Sequence, residues 1–330
     1  MSMRPMKLPR DLTPLGEMLA ETFQYPENPE WSVKTDEKEH LVNEVRSIRR
    51  LWPLIRTMQL FSRSLRGFLH GYIWEEDDKI VGVTTVHQRG TTSIWVVGAV
   101  GVLPAFRRRG IARKILQESL ELIRRRGGTK AWLGVIGGNL PAQTLYERLG
   151  FEVYDGLIEY SIKPTEPPTV PPLPEGYAVS RLGRRDWRPR YELEKRIAPE
   201  RTRLHEPIEV GRFRRPWMVR SLVPIMRFAQ RTKEADFVIR LCSDTKIVAI
   251  AGYSVSTRGK GVNRIRIRLD PEYPELAPYV VGRLCNTVIR QSPNLRIELT
   301  VPRWMPAVVE AAEAVGFKHR VEYLKMGLVL

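Results

Sequence analysis

Three arginines in succession, Arg107, Arg108 and Arg109, run directly into Gly110, Ile111 and Ala112. Such a row is either one more patch of basic surface or part of a turn that binds phosphate. Its setting bears on the choice. The residues before it, TTSIWVVGAVGV (91–102), are rich in β-branched side chains and read as a central strand ending near Pro104. After it, Ile111, Ile115, Ser119 and Leu122, with Leu116 and Ile123 beside them, line one face of a helix that starts near Arg109. The first turn of a helix carries free N–H groups and a partial positive charge, which together attract anions. Gly110 and Ala112 place little side chain over that backbone, and flanking guanidiniums add charge-assisted hydrogen bonds. The arrangement suits a pyrophosphate. It has neither the Gly-Lys-Ser/Thr of a phosphate-binding Walker loop nor the spaced glycines of a dinucleotide fingerprint.

The elements around this turn recur. The proline-rich stretch KPTEPPTVPPLPEG (Lys163 to Gly176) cannot continue a helix or a ladder, and it divides the chain into nearly equal parts. Short echoes follow in the same order on both sides: LWPLIR (51–56) and LVPIMR (222–227), KIVGV (79–83) and KIVAI (246–250), LGF (149–151) and VGF (315–317). We therefore expect a duplicated domain, with residues 1–163 and 175–330 as the copies and 164–174 as linker.

In the first copy the pattern predicts helices at Leu15–Phe23 and Glu37–Leu60 and strands at Phe68–Glu75, Lys79–His87 and 91–102. The helix after the arginines, a strand at Lys130–Ile136, a helix at Asn139–Gly150 and a closing hairpin at 151–163 complete it. The second copy has strands at Phe237–Cys242, Ile247–Ser254, Asn263–Leu269 and Leu295–Leu299, with helices at Leu276–Arg290 and Ala307–Val315. In NRIRIRL, Ile265, Ile267 and Leu269 face one way and Arg264, Arg266 and Arg268 the other. A strand–helix–strand crossover within antiparallel neighbours implies one central parallel pair. The fold class is thus α/β (α+β), each copy a mixed, mostly antiparallel sheet flanked by helices.

Composition narrows the classes. At 330 residues, 42% hydrophobic and 28% charged, the chain reads as globular and large enough for two domains. No apolar run is long enough to cross a bilayer, and the basic start MSMRPMKLPRDLTP lacks the apolar segment of a signal peptide, so the cytoplasm is the expected compartment. Cys242 and Cys285 suggest neither a disulfide scaffold nor a metal site. The net charge of +17 would attract any polyanion, and the basic segments RLGRRDWRPR (181–190) and GRFRRPW (211–217) interleave aromatics that can stack on bases. A basic, apolar segment at 49–68 would suit a membrane surface, although Pro53 and the need to cover the sheet favour a buried helix lining the substrate site.

The segment around Gly110 resembles the acetyl-CoA motif of the GNAT superfamily of N-acetyltransferases, Arg/Gln-x-x-Gly-x-Gly/Ala, matched by Arg107, Gly110 and Ala112. The strand end VGVLP before it, the amphipathic helix after it and N-x-x-A-x-x-x-Y-x-x-x-GF downstream (Asn139, Ala142, Tyr146, Gly150, Phe151) extend the resemblance over most of 1–163. A weaker form covers 175–330. The resemblance implies acetyl-CoA as cosubstrate. Backbone at Ala99–Val102, including Val100, Gly101 and Val102, would hold the pantetheine arm; the amides of Arg108, Arg109, Gly110, Ile111 and Ala112 would wrap the pyrophosphate; Asn139 would touch the pantetheine portion. Tyr146 would protonate the leaving thiolate as general acid, and the Val100 or Val102 amide would stabilise the oxyanion. Read without the resemblance, Tyr146 is an ordinary helix residue and Asn139 a helix N-cap. For the general base the candidates are Glu21, Glu27, His87 and Glu159, or a water chain.

The second copy lacks these parts. Aligning Pro104 with Pro271 puts Pro274, Ala277 and Tyr279 opposite Arg107, Gly110 and Ala112, and adds Asp270 and Glu272 where phosphate would lie. Met305 stands opposite Asn139 and Ala312 opposite Tyr146. The expectation is an N-acetyltransferase acting on a primary amine of a small molecule or peptide, acidic in one reading, with an active first copy, a structural or substrate-shaping second copy, and a monomer. The alternatives are a basic protein associated with nucleic acid and a non-catalytic acyl-CoA-binding protein.

Overall fold

The alternation read in NRIRIRL is realised in the fold, with Ile265, Ile267 and Leu269 buried. In the computed structural model, residues 2–25, 27–32, 48–50, 52–53, 55–57, 59–60, 69–163, 166–183, 186–214, 231–244, 246–257 and 261–330 are described. The first compact unit runs up to Tyr154 and takes in Leu324–Leu330; the second holds Asp155–Arg214 and the described residues from 231 to Tyr323. Each unit therefore closes with a strand drawn from the other half of the sequence.

In the first unit β1 (Ser2–Pro5), β2 (His70–Glu76), β3 (Lys79–Gln88) and β4 (Ile94–Val102) are antiparallel neighbours, and β5 (Lys130–Ile136) pairs parallel with β4. β1, which lies outside the strands expected from the sequence, is an edge strand on β2. Helix α1 (Leu12–Thr22) and helix α2 (Ile111–Arg125) pack their apolar faces on this sheet, with Leu12, Ile115, Leu116 and Ile123 fully buried. Helix α3 (Leu140–Glu147) follows β5. The expected helix at Glu37–Leu60 lies mostly outside the described residues; 48–50, 52–53, 55–57 and 59–60 are helical. The echo at 222–227 also lies outside them.

The hairpin expected at 151–163 is instead one strand, β6 (Glu152–Ile162), whose residues from Asp155 belong to the second unit. Asp155–Gly156 resembles a two-residue hairpin turn. Gly156 serves packing instead: a Cβ there would lie 2.4 Å from Cδ of Arg303, and the Arg303 N–H donates to the Gly156 carbonyl at 3.0 Å. The strand that completes the first unit is the end of β12 (Lys318–Val329), where Met326 is fully buried.

The second unit orders β6, β11 (Ile297–Pro302), β10 (Asn263–Leu269), β9 (Ile247–Ser256), β8 (Thr232–Leu241) and β7 (Tyr177–Arg181). Only β10 and β11 are parallel among these pairs. Helix α4 (Arg188–Ile197), the short helices α5 (Glu200–His205) and α6 (Val210–Phe213), helix α7 (Ala277–Gln291) and helix α8 (Pro306–Ala314) accompany the sheet. The proline-rich stretch lies against α7: the Asn286 side chain donates to the Pro168 carbonyl at 3.1 Å, and a Cβ on Gly282 would stand 3.3 Å from Pro171.

Two glycines repeat one device. Gly150 and Gly316, at φ 88° and 98°, each end a helix and precede a buried phenylalanine, Phe151 and Phe317. Left-handed backbone of this kind favours glycine at a helix end. Leu328 of β12 approaches Gly150 and Ile162 of β6 approaches Gly316, so each turn packs on the strand that closes its unit.

Candidate functional site in the first unit

The turn between β4 and α2 is built by backbone conformation more than by charge. Arg108 and Gly110 both adopt positive φ, 64° and 74°. The first intrahelical bond runs from the Lys114 N–H to the Gly110 carbonyl at 3.1 Å, so the amides of Ile111, Ala112 and Arg113 lie ahead of it. Alternating left-handed residues at a helix start turn successive N–H groups toward one point, which favours an anion. A Cβ on Gly110 would meet no atom within 4 Å. The Gly110 position itself is open among the described residues.

The three arginines divide the work. Arg107 is exposed but tied to its neighbours: its Nε donates to the Val102 carbonyl at 3.2 Å and one Nη to the Thr22 carbonyl at 3.0 Å. Arg109 pairs loosely with Glu76 at 3.4 Å and lies over the Phe106 ring. Among the described residues, the exposed Arg108 guanidinium has no hydrogen bond or ion pair. The surface-patch reading fits only part of this row.

β4 supplies the second component. It pairs with β5 only over Ile94–Val96, opposite Lys130–Trp132. Beyond Val96 its β5-facing edge has no partner in that strand. Opposite β3 the register jumps from Val86↔Val97 to Thr85↔Ala99, making Gly98 an extra, bulged residue. Over Gly98 stand Thr85 and His87: a Cβ there would lie 3.0 Å from Thr85 Oγ1 and 3.7 Å from His87 Nδ1. Val100 is half-buried, while Gly101 and Val102 are buried. Gly101 lets α1 close on the strand, since its Cβ would lie 2.9 Å from Cγ2 of Thr22.

Asn139 caps α3, its side chain accepting from the Ala142 N–H at 3.3 Å, and it also hydrogen-bonds the Tyr25 side chain. Tyr146 is 7% exposed and meets Phe151 edge to face. Its hydroxyl has no hydrogen-bond partner among the described residues. Burial pushes the Tyr146 phenol well above its ordinary pKa, and the neighbouring Tyr25 adds to the shift. Burial also raises Tyr25, against the opposing Arg107 charge and the Asn139 hydrogen bond. Arg107, Tyr25, Asn139 and Tyr146 thus form one electrostatically linked group. Tyr25 was invisible as a site residue in the sequence, where it is a lone aromatic in YPENPEW; its backbone is fixed by Ser32, whose Oγ accepts from the Tyr25 N–H at 2.8 Å.

The candidate bases separate. Burial lowers the His87 pKa, with the Arg89 charge in the same direction, so the imidazole is neutral near pH 7 and competent to accept a proton. Glu21 and Glu27 are exposed. Glu159 belongs to the second unit, where Arg320 engages its carboxylate.

The counterpart turn of the second unit is closed by its own side chains. Leu276, Ala277 and Tyr279 are buried, and Asp270, 2% exposed, pairs with Arg196 at 2.9 Å. Met305 and Ala312, opposite Asn139 and Tyr146, are core residues.

Comparison with known proteins adds sequence and fold likeness. A family model described as acetyltransferase (GNAT) family matches residues 25–151. N-alpha-acetyltransferase 30 of Schizosaccharomyces pombe is 30% identical over 109 residues, which are 31% of this chain and 73% of that protein. Mycothiol acetyltransferase of Corynebacterium glutamicum is 33% identical over 89 residues, 27% of this chain and 30% of that protein. Among solved structures, a tandem GNAT protein from the clavulanic acid biosynthesis pathway aligns over 99% of this chain and 98% of its own, with TM-score 0.63 and 16% identity. A GCN5-related N-acetyltransferase from Sphaerobacter thermophilus aligns over 99% and 95%, with TM-score 0.67 and 14% identity. These structural likenesses concern the fold.

Proposed function

Because the chain belongs to the acetyltransferase (GNAT) family, we propose that its first unit transfers the acetyl group of acetyl-CoA to a primary amine by direct attack in a ternary complex. The observation that carries this reading is the join of two features: amides at the start of α2 that precede the first intrahelical bond, next to an open Gly110, and the β5-facing edge of β4, which has no partner in β5 beyond Val96. A pyrophosphate fits the first and an extended amide-bearing arm the second. Bound there, acetyl-CoA supplies an activated thioester carbonyl.

The residues then have definite tasks. The amides of Arg108–Ala112 hold phosphate oxygens, with the unpaired Arg108 guanidinium closest to free for the same role. Arg107 sets the turn by gripping the Thr22 and Val102 carbonyls. The Val100 or Val102 amide donates to the carbonyl oxygen as it gains charge. Tyr146, kept neutral by burial, donates its proton toward the departing sulfur. His87, neutral and beside the Gly98 bulge, is our choice for the base that relieves the amine of its proton.

Alpha-amino groups, after the name of the fission-yeast relative, are the acceptors we would try first, beside small amines and polyamines. The decisive experiment is acetyl-CoA titration of the intact chain and of Gly110→Asn. Asparagine tolerates left-handed backbone, so the variant folds, but it puts a side chain on the turn where glycine has none. Binding to the parent chain and its loss in the variant support the reading; equal binding overturns the turn's role. A non-catalytic acyl-CoA-binding protein would bind equally well yet acetylate no amine.

A further inference from the structure

In the second unit, Arg264, Arg266 and Arg268 project from β10 on the face opposite the buried Ile265, Ile267 and Leu269. They line a cavity of about 450 Å³. Its apolar wall comes from Leu157, Leu193, Phe213 and Ile250. That volume is typical of sites for metabolite-sized ligands.

The charges are arranged unequally. The cavity's three carboxylates are committed to arginines: Asp236 to Arg190 at 2.8 Å and Arg266 at 3.3 Å, Glu194 to Arg268 at 2.8 Å, and Glu298 to Arg264, Arg296 and Arg320 at 3.1–3.3 Å. The guanidiniums are not used up. Among the described residues, Arg264 is engaged through Nε alone and Arg266 through a single Nη, and each side chain is about half exposed, at 51% and 49%. A guanidinium has five N–H donors, so both arginines keep unused ones.

The backbone is shaped for this cluster. Gly252 lies directly between Asp236 and Arg266 in the sheet register. A Cβ on Gly252 would come within 1.9 Å of Asp236 Oδ1, so the ion pair crosses the strand only because that position is glycine. Glycine inside a strand weakens it, and close approach over the backbone is the usual compensation. Aligning Pro104 with Pro271 puts Val97, Ala99 and Gly101 opposite Arg264, Arg266 and Arg268. Where one unit has small or apolar residues along its cleft strand, the other has a row of cations.

We propose that this cavity is a second ligand site, separate in chemistry from acetyl-CoA binding, for a small organic anion: an oxyanion head, carboxylate or phosphate, on an apolar body. The planar forks of Arg264 and Arg266 receive the head, and residues two apart on one strand face stand about 7 Å from each other, close enough to grip two sides of it. The body rests on Leu157 and Phe213. The inference does not depend on the first unit's activity.

The test uses the full chain and three probes followed by heteronuclear NMR titration: 3-phenylpropionate, phenyl phosphate and the neutral 3-phenylpropionamide. Saturable shifts with at least one anion, and none with the amide, are expected; stronger shifts with one anion identify its head group. Arg264→Gln removes a half-exposed side chain with one long contact, so the fold survives, and it should weaken the anion about tenfold or more. Arg266→Lys keeps the charge but loses the fork and should weaken it as well. Gly110→Asn should leave probe binding intact. Absence of saturable shifts with both anions, equal binding of the amide, undiminished binding in both arginine variants, or loss in Gly110→Asn would each overturn the proposal.

Discussion

Arg107 and Thr22 are joined through a main-chain oxygen: the guanidinium donates to the Thr22 carbonyl at 3.0 Å while its Nε holds the Val102 carbonyl at 3.2 Å. One side chain thereby fastens the end of α1 and the end of β4 to the turn that opens α2. Arg107→Ala should lower stability by about 1–2 kcal/mol, the lower part of the range for charged hydrogen bonds because the site is partly open to water. It should also weaken acetyl-CoA binding, since the amides of the turn lose their support. Arg107→Lys, with no planar fork, should fall between. Calorimetric melting together with ligand titration checks both effects; a variant unchanged in each would make Arg107 a surface charge.

Tyr146→Phe should retain cofactor affinity and fold, because the hydroxyl has no hydrogen-bond partner among the described residues. Turnover should drop by about 10²-fold or more if the phenol is the acid. The sign of its pKa shift adds a second expectation. Burial favours the neutral phenol, so ionisation of Tyr146 should not limit activity below about pH 10, the ordinary value for tyrosine. Full turnover in the phenylalanine variant, or a tyrosine-dependent loss nearer neutrality, would remove the acid role.

His87 gives a stability test as well as a kinetic one. Its pKa is lowered in the folded chain, so the unfolded chain binds the extra proton more readily. The resulting contribution is fully present above the ordinary imidazole value of about 6.5 and is lost as pH falls from there toward the folded pKa. His87→Gln should flatten that part of the stability curve. If His87 is the base, the acidic limb of kcat/KM should lie below the same value and vanish in the variant. An unchanged limb assigns the base elsewhere.

How much of this was legible in the sequence depends on whether a local rule operated without competition. NRIRIRL alternates strictly, and β10 occupies Asn263–Leu269 as read; KAWLGVI likewise gives β5 at Lys130–Ile136. The hairpin expected at 151–163 fails at Gly156, where close approach to Arg303 takes the place of a turn. No periodicity could reveal that β6 and β12 close each other's units, since strand partners are long-range choices. At the site, Gly110 carried a backbone signal that side-chain spacing could expose. Tyr25 had none: its place beside Asn139 and Tyr146 arises from the fold of the segment after α1.

The strand exchange makes the C-terminal residues part of the candidate active unit. Met326 is fully buried among side chains that include Tyr146 and Phe151, Leu328 packs near Gly150, and the Leu330 N–H donates to the Thr129 carbonyl at 2.9 Å. Truncating a buried methionine costs the transfer of its side chain plus the cavity left behind, about 2–5 kcal/mol. Met326→Ala should therefore lower the melting temperature and reduce acetyl-CoA binding, although residue 326 is far from Gly110 in sequence. Hydrogen exchange separates this from a general loss of stability. Amides of β4, β5 and α3 should lose protection more than those of β9 and β10, which belong to the other unit. Equal loss across both would mean that the closing strand stabilises the chain as a whole instead of the unit that holds Tyr146.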